Sequence, residues 1–480
     1  MFAVVKYTSI LLACAVLLSG TAAAKSLYVN NSSSPACSDS TTYADNSSLS
    51  PWCTIGRAAW GSSNPNSPNA SQAAQPGDTV NINSGTYNTI ATNTSCLGGA
   101  RWAVALNPVN TGRSGAPIRF VGVGTVNVLL ASGYAGPTIG ADGRDYVIWD
   151  NVRIDETIAQ GASCADTGPV VIHVCTGCVI TNSIIRGEYN TWSDNYCGVR
   201  LEATNSVVVS SNEIYGFTGN WGHNNAGIMT YDTASPVFEN NHIHDNGTGI
   251  YVKGEHTGDG WPQDTHTIRF NWIENNSLKS ILSYSGNNTR IYQNIIKQLQ
   301  GYAIRLDTNN GVGIVVANNT IISPSGTSAI GYSVSLVSPT VTNYRIFNNI
   351  FYGTFGENVN LGEATSIGGQ AFEHNVYYGF INFGSLNGSL ISLMTWKNTY
   401  SRDSAIPASI NTNPLFVDTV FYKLQSGSPA QTLGIDILDL DRDGSTSDVI
   451  PAGAYVTGIE VIGIDSNTLA APTGLVIITQ

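Results

Sequence analysis

"SNEIYGFTGNWGHNNAGIMTYDTASPVFENNHIH", residues 211–244, begins and ends on the same short phrase, an asparagine followed by alternating apolar residues. The phrase returns along the central half of the chain as "TNSII", "SNEIY", "NNHIH", "FNWIE", "QNIIK", "NNTII", "NNIFY" and "HNVYY". Its asparagines are Asn182, Asn212, Asn241, Asn271, Asn294, Asn319, Asn349 and Asn375, with gaps of 30, 29, 30, 23, 25, 30 and 26 residues. No helical period runs through these segments; apolar residues alternate in short runs, as strands do. One coil of a parallel β-helix needs a period near this length, and successive coils stack at about 4.8 Å. A buried asparagine at the same turn of each coil can bond its neighbours above and below. Turn groups that are costly to bury are thereby satisfied. A sandwich or barrel would instead show hairpin signals at closer spacing.

Composition agrees. Charged residues make up 11% of the 480, with 50 glycines and many Asn, Ser and Thr, a profile of short strands and tight turns. The net charge of −12 offers no basic patch for nucleic acid. Lys6 precedes the apolar run "TSILLACAVLLSGTAAA", which reads as an export signal cleaved after Ala24, too short for a stable membrane span. Seven cysteines follow it, so disulfides are expected, Cys37–Cys53 first, with one thiol left over. "CTGC" at 175–178 lacks the second pair of a zinc finger.

The N-terminal stretch "LYVNNSS…PWCTIGRAAW…AQPGDTVNINSGTY" (27–87) resembles the opening of exported right-handed parallel β-helix proteins of the pectate-lyase-like superfamily. "NPLFVDTVFYKLQSGSPAQTLGID" (413–436) and "GAY" (453–455) resemble their close. The resemblance implies an all-β right-handed solenoid with a capping helix at "TIGRAAW" and an irregular C-terminal cap. The expected organisation is a signal peptide (1–24), N-terminal cap and first coils (25–100), β-helix coils (101–375), C-terminal coils and cap (376–455) and a tail or start of another domain (456–480). The fold itself does not specify chemistry.

Aligning the strands that follow each ladder turn gives two outward columns. One runs Arg200, Met229, Tyr251, Leu282, Arg305, Gly331; the other runs Glu202, Tyr231, Lys253, Tyr284, Asp307, Ser333, with His173 preceding Glu202. Both columns are expected to face solvent. Three long insertions beside them carry Trp192, Trp221 and Trp261 with His223, His256 and His266, as walls of a groove for sugar rings. Five of the seven histidines lie within 223–266, but their spacing matches no standard zinc motif. His242 and His244 fall in the repeat phrase "NHIHDN", where a structural role is expected.

Three functions fit. The first is a polysaccharide lyase acting by β-elimination on a uronate polymer. Lys253 is its candidate base, Tyr231 or Tyr284 its acid, and Arg305 or Arg200 the partner of the carboxylate, with Tyr251, Trp192, Trp221, Trp261, His223 and His256 binding substrate. Related lyases of the fold often use calcium, for which Glu202 and Asp232 are candidates. Asp439, Asp441 and Asp443 in "DLDRDGSTSD" follow calcium-loop spacing, although Ile450 stands where that motif wants glutamate. The second is a glycoside hydrolase. Glu202 and Asp307, four coils or roughly 19 Å apart, are too distant for its carboxylate pair, and Glu202 with Asp232 fits loosely. The third is a non-catalytic carbohydrate-binding or surface β-helix. A secreted monomer is expected in each case.

Overall fold

The computed structural model describes residues 24–95, 102–159, 161, 167–188, 195–219, 224–254, 264–284, 286–307, 312–323, 328–333, 344–353, 356–360, 370–386 and 388–464. The chain winds into a parallel solenoid with three faces. From Val147 onward two of them are built from strands of three or four residues, such as Val208–Ser210 on the first sheet and Glu213–Tyr215 on the second. The third carries longer strands, among them Cys197–Asn205, Ala226–Ala234, Thr248–Gly254, Lys279–Ser283 and Tyr302–Asp307. Each strand pairs in parallel with its equivalent one coil on.

A three-residue strand can send only its middle side chain inward. On the second sheet that residue is Ile185, Ile214, Ile243, Ile273, Ile296, Ile321, Phe351 and Tyr377 in successive coils, each fully buried. The core is therefore stacked columns of like residues.

The turn between the first two sheets contains the asparagine ladder. Asn271 Nδ2 donates to Phe238 O, Arg269 O and Asn294 Oδ1, while its Oδ1 accepts from the backbone and side-chain amides of Asn241, all at 2.8–3.0 Å. The pattern repeats from Asn212 to Asn375. Asn182 is not a rung. Ser183 N bonds Asn212 Oδ1, so the serine occupies the rung. Asn182 instead stands one residue earlier with φ 50°, in line with Ser211, Asn240, Phe270, Gln293, Asn318, Asn348 and His374, all left-handed. A shorter amide ladder, Asn246 to Asn276, joins the second sheet to the third.

The capping helix spans Ile55–Trp60, with Thr54 as its N-cap and all six residues buried against the first coils. At the far end a helix, Leu393–Asn398, places Trp396 over the last coil. There the buried Asp403 accepts from Trp396 Nε1, Tyr377 Oη and Asn375 Nδ2. Ser409 Oγ accepts from Asn375 N and Ile410 bridges Val376, so this irregular stretch closes the last coil. The residues beyond it leave the axis. They run back along the outside of the second sheet: Asn348 Nδ2 donates to Ile435 O, Asn318 Nδ2 to Pro451 O, and Gly463 N to Phe270 O. Tyr422, Ala454 and Tyr455 pack there against Ile295 and Ile322. Cys37–Cys53 forms as expected, Cys175 and Cys178 pair with each other, and Cys197 is a buried free thiol.

Candidate active site on the third sheet

The first outward column stacks as the alternation requires: Arg200, Met229, Tyr251, Leu282, Arg305 and Gly331 pair in register. The second begins earlier than the sequence secures, with Asp142, His173, Glu202 and Tyr231 in register. It then breaks. Thr230 pairs with Val252 but Tyr231 pairs with Gly254, which leaves Lys253 as the extra residue of a bulge. Bulges re-aim a side chain, and this one turns the ammonium toward Tyr231.

Most of this face is not solvated, contrary to the expectation from alternation. Arg200 and Glu202 are each 3% exposed, and Met229, Tyr231, Tyr251 and Leu282 join Cys197 and Ala226 in a buried apolar cluster. Lys253 and Arg305 are half-buried, and Tyr284 is exposed at 37%.

Around Lys253 the polar contacts converge. Its Nζ donates to Asn195 Oδ1 at 2.5 Å, and the Tyr231 hydroxyl donates to the same oxygen at 3.3 Å. The ammonium lies 5.0 Å from the Tyr231 ring centroid and 5.9 Å from that of Tyr251, within cation–π range. The Arg200 guanidinium sits 4.5 Å from the Tyr231 ring and 5.2 Å from Trp102, and Glu202 Oε2 accepts from both Arg200 Nε and a terminal nitrogen. Trp102 stacks on His173 at 4.3 Å, and His173 Nδ1 is 2.8 Å from Asp142 Oδ1. Burial pushes the Tyr231 phenol up, against the opposing pull of Arg200, so the hydroxyl keeps its proton at neutral pH. It is a donor as it stands.

Residues 137–321 match the family model described as a right handed beta helix region. Among solved structures, pectate lyase Pel9A superposes with a TM-score of 0.53 at 14% identity, covering 90% of this chain and 97% of the other. The chain is a right-handed parallel β-helix with the pectate-lyase fold. The A-module of the mannuronan C-5 epimerase AlgE4 of Azotobacter vinelandii gives 12% identity, coverage of 70% and 91%, and a TM-score of 0.43. A mannuronic acid specific family 6 lyase from human gut microbiota gives 13%, 70% and 79%, and 0.36. None of the curated proteins matches the chain in sequence.

Within this pectate-lyase fold the remaining candidates separate. Arg305 is two register positions beyond Tyr251, with its guanidinium 5.4 Å from the Tyr302 ring. Tyr284 N donates to Val252 O, which puts Tyr284 one coil beyond Lys253. Asp232 is buried, directly after Tyr231, with φ 45°. Asp439, Asp441 and Asp443 lie elsewhere, on the returning C-terminal segment. They form two groups, Asp436–Asp439–Asp441 and Asp441–Asp443–Asp448, with one oxygen from each residue within 4.8 Å of the others in its group. An all-oxygen donor set of this kind suits calcium, and Asp448 supplies a carboxylate near the place of the missing glutamate. Those oxygens also cap the loop: Asp439 Oδ1 accepts from Gly444 N and Asp441 Oδ1 from Asp443 N. Trp192, Trp221, Trp261, His223 and His256 lie outside the described residues, as does the stretch up to residue 23 expected to be an export signal. His266 is fully buried beneath the sheet, not on a groove wall.

Asn195, Trp102 and Asp142 were not among the sequence candidates. Asn195 lies in the insertion "RGEYNTWSDNYCG", where its left-handed φ of 72° is a conformation that asparagine tolerates better than most residues. Trp102 precedes the repeats and leaves no periodic signal.

Proposed function

We propose that this chain is an exported enzyme that cleaves a uronate-containing polysaccharide by β-elimination at the third sheet, with Lys253 as base and Tyr231 as acid. The observation that carries the reading is the convergence of Lys253 Nζ and the Tyr231 hydroxyl on Asn195 Oδ1, with Arg200 over the same tyrosine ring. Elimination needs a base at the carbon beside the carboxylate, positive charge to steady the enolate that forms, and a proton for the departing oxygen. Lys253 in its neutral form removes the proton, and Asn195 holds the amine in place. The buried, protonated Tyr231 hands its proton to the leaving oxygen. Arg200, paired with Glu202, packs on the Tyr231 ring and holds the acid in place, and the ammonium that Lys253 becomes steadies the enolate. Arg305, about two coils or 10 Å away, meets the carboxylate of a neighbouring sugar. The exposed Tyr284 offers a ring face to the chain. Calcium, where it binds, is held by the acidic C-terminal loop and stabilises the segment packed on the second sheet.

The test is ultraviolet absorbance during incubation with a panel of uronate polysaccharides, for wild type, Lys253→Ala and Tyr231→Phe. Elimination leaves a C=C conjugated to the carboxylate, and hydrolysis leaves none. A rise that Lys253→Ala abolishes with the fold intact supports the assignment. A rise indifferent to both substitutions discards the site. New reducing ends without absorbance indicate a hydrolase, and binding without either product a carbohydrate-binding β-helix.

A further inference from the structure

Within "NHIHDN", His242–His244 is a strand of the second sheet, between Glu213–Tyr215 and Trp272–Glu274. Glu213 pairs with His242, and His244 pairs with Tyr215 on one side and Glu274 on the other. Because Ile214, Ile243 and Ile273 point into the core, the residues flanking them share the outer face. The two imidazole rings stand 4.3 Å apart, and Glu213, His242 and His244 each present a donor atom within 4.8 Å of the others.

The distances within the group differ from those of settled ion pairs. His244 Nε2 is 3.4 Å from Glu213 Oε1 and His242 Nε2 is 3.1 Å from Glu274 Oε1. Charged hydrogen bonds close to about 2.7–2.9 Å. The edge of a tetrahedron whose ligands stand about 2.0–2.1 Å from zinc is about 3.3 Å. The other ring nitrogen of His244 is already fixed: Nδ1 lies 2.8 Å from Asp245 Oδ2, and the ring stacks on Tyr215 at 4.8 Å. A histidine that binds metal through one nitrogen commonly gives the other to a carboxylate in this way. The side chains are 15–29% exposed, open enough for an ion to enter.

We propose that Glu213, His242 and His244 form a binding site for a divalent transition metal of the zinc class, with Glu274 the nearest candidate for a fourth ligand. Lys297, 3.8 Å from Glu274, is the cation that the metal displaces there. The nitrogen-rich set selects against calcium and magnesium, which take oxygen. The site is on the second sheet, away from Lys253. An ion there links two successive coils, three if Glu274 joins, so it adds stability and takes no part in the chemistry of the third sheet.

The test is calorimetric titration of the chelator-treated full chain with zinc, together with the visible spectrum of its cobalt(II) form. The expected result is one equivalent of zinc bound, a tetrahedral cobalt band and a raised melting temperature. Affinity should fall about 100-fold or more in His242→Ala and in Glu213→Gln, and stay unchanged in Asp441→Asn. Absence of zinc binding overturns the proposal, as does binding that survives both substitutions or is lost in Asp441→Asn. Calcium competing on equal terms also overturns it. If His242→Ala fails to fold, Glu213→Gln carries the comparison.

Discussion

Replacing Asn271 by alanine removes the side chain in the middle of the amide ladder, and the cost can be worked bond by bond. Its Nδ2 reaches three oxygens with two hydrogens, and its Oδ1 accepts from Asn241 N and Asn241 Nδ2, so at most four full hydrogen bonds disappear. At about 1 kcal/mol for each net bond, the loss is about 4 kcal/mol. Part of it is the Asn241 N–H left buried beside a methyl group. Asn182→Gly provides the contrast. That residue has the same type and the same repeat phrase, but it is half-buried, is not a rung, and gives up one bond to Asp150 while gaining a backbone suited to φ 50°. Its cost should stay within about 1 kcal/mol. Urea unfolding followed by far-ultraviolet circular dichroism measures both, after checking that a second probe gives the same transition. An Asn271→Ala loss below about 1 kcal/mol, or an equal loss in Asn182→Gly, would refute the ladder as the source of stability.

Arg200→Ala strands the Glu202 carboxylate on a buried face without its guanidinium. The expected loss is about 3–5 kcal/mol in urea unfolding, largely recovered in the double variant Arg200→Met, Glu202→Leu. Burial lowers His266 to about 3. Its folded value lies below the unfolded one of about 6.5, so the native state binds fewer protons, and stability falls as pH drops from about 6.5 toward 3. His266→Gln should flatten that acid limb by up to about 1.4 kcal/mol per pH unit in thermal melts between pH 6 and 4. Burial pushes the Cys197 thiol up to about 12, and its Sγ lies 3.0 Å from Thr167 O. Iodoacetamide should leave it unmodified in the native chain and label it after denaturation, as read by mass spectrometry.

The fold was legible because a solenoid writes its period into the chain: Asn212 through Asn375 occupy equivalent rungs, and each is followed by an inward apolar residue. The limit of that signal shows at "TNSII". Asn182 matches the phrase, but the strand register gives the rung to Ser183, since a left-handed residue precedes every rung and asparagine suits both positions. On the third sheet the alternation placed Arg200, Tyr251 and Arg305 correctly. It could not show the bulge at Lys253, because one extra residue changes pairing without changing composition. Nor could it show that Arg200 and Glu202 are buried, since alternation says which way a side chain points and not what lies over it. Asn195 and Trp102 act through distant contacts with no repeat to announce them. The backward course of the C-terminal segment leaves no pattern either, being a docking of irregular chain on a finished surface.

That returning segment changes how the rod comes apart. A stack of repeats touching only their neighbours can fray coil by coil from an end. Here Gly463 is tied to Phe270, Pro451 to Asn318 and Ile435 to Asn348, so one strap crosses several coils at once. The coils beneath it cannot peel away singly until the strap lifts. A pull on the C-terminus meets this clasp before it meets the last coil.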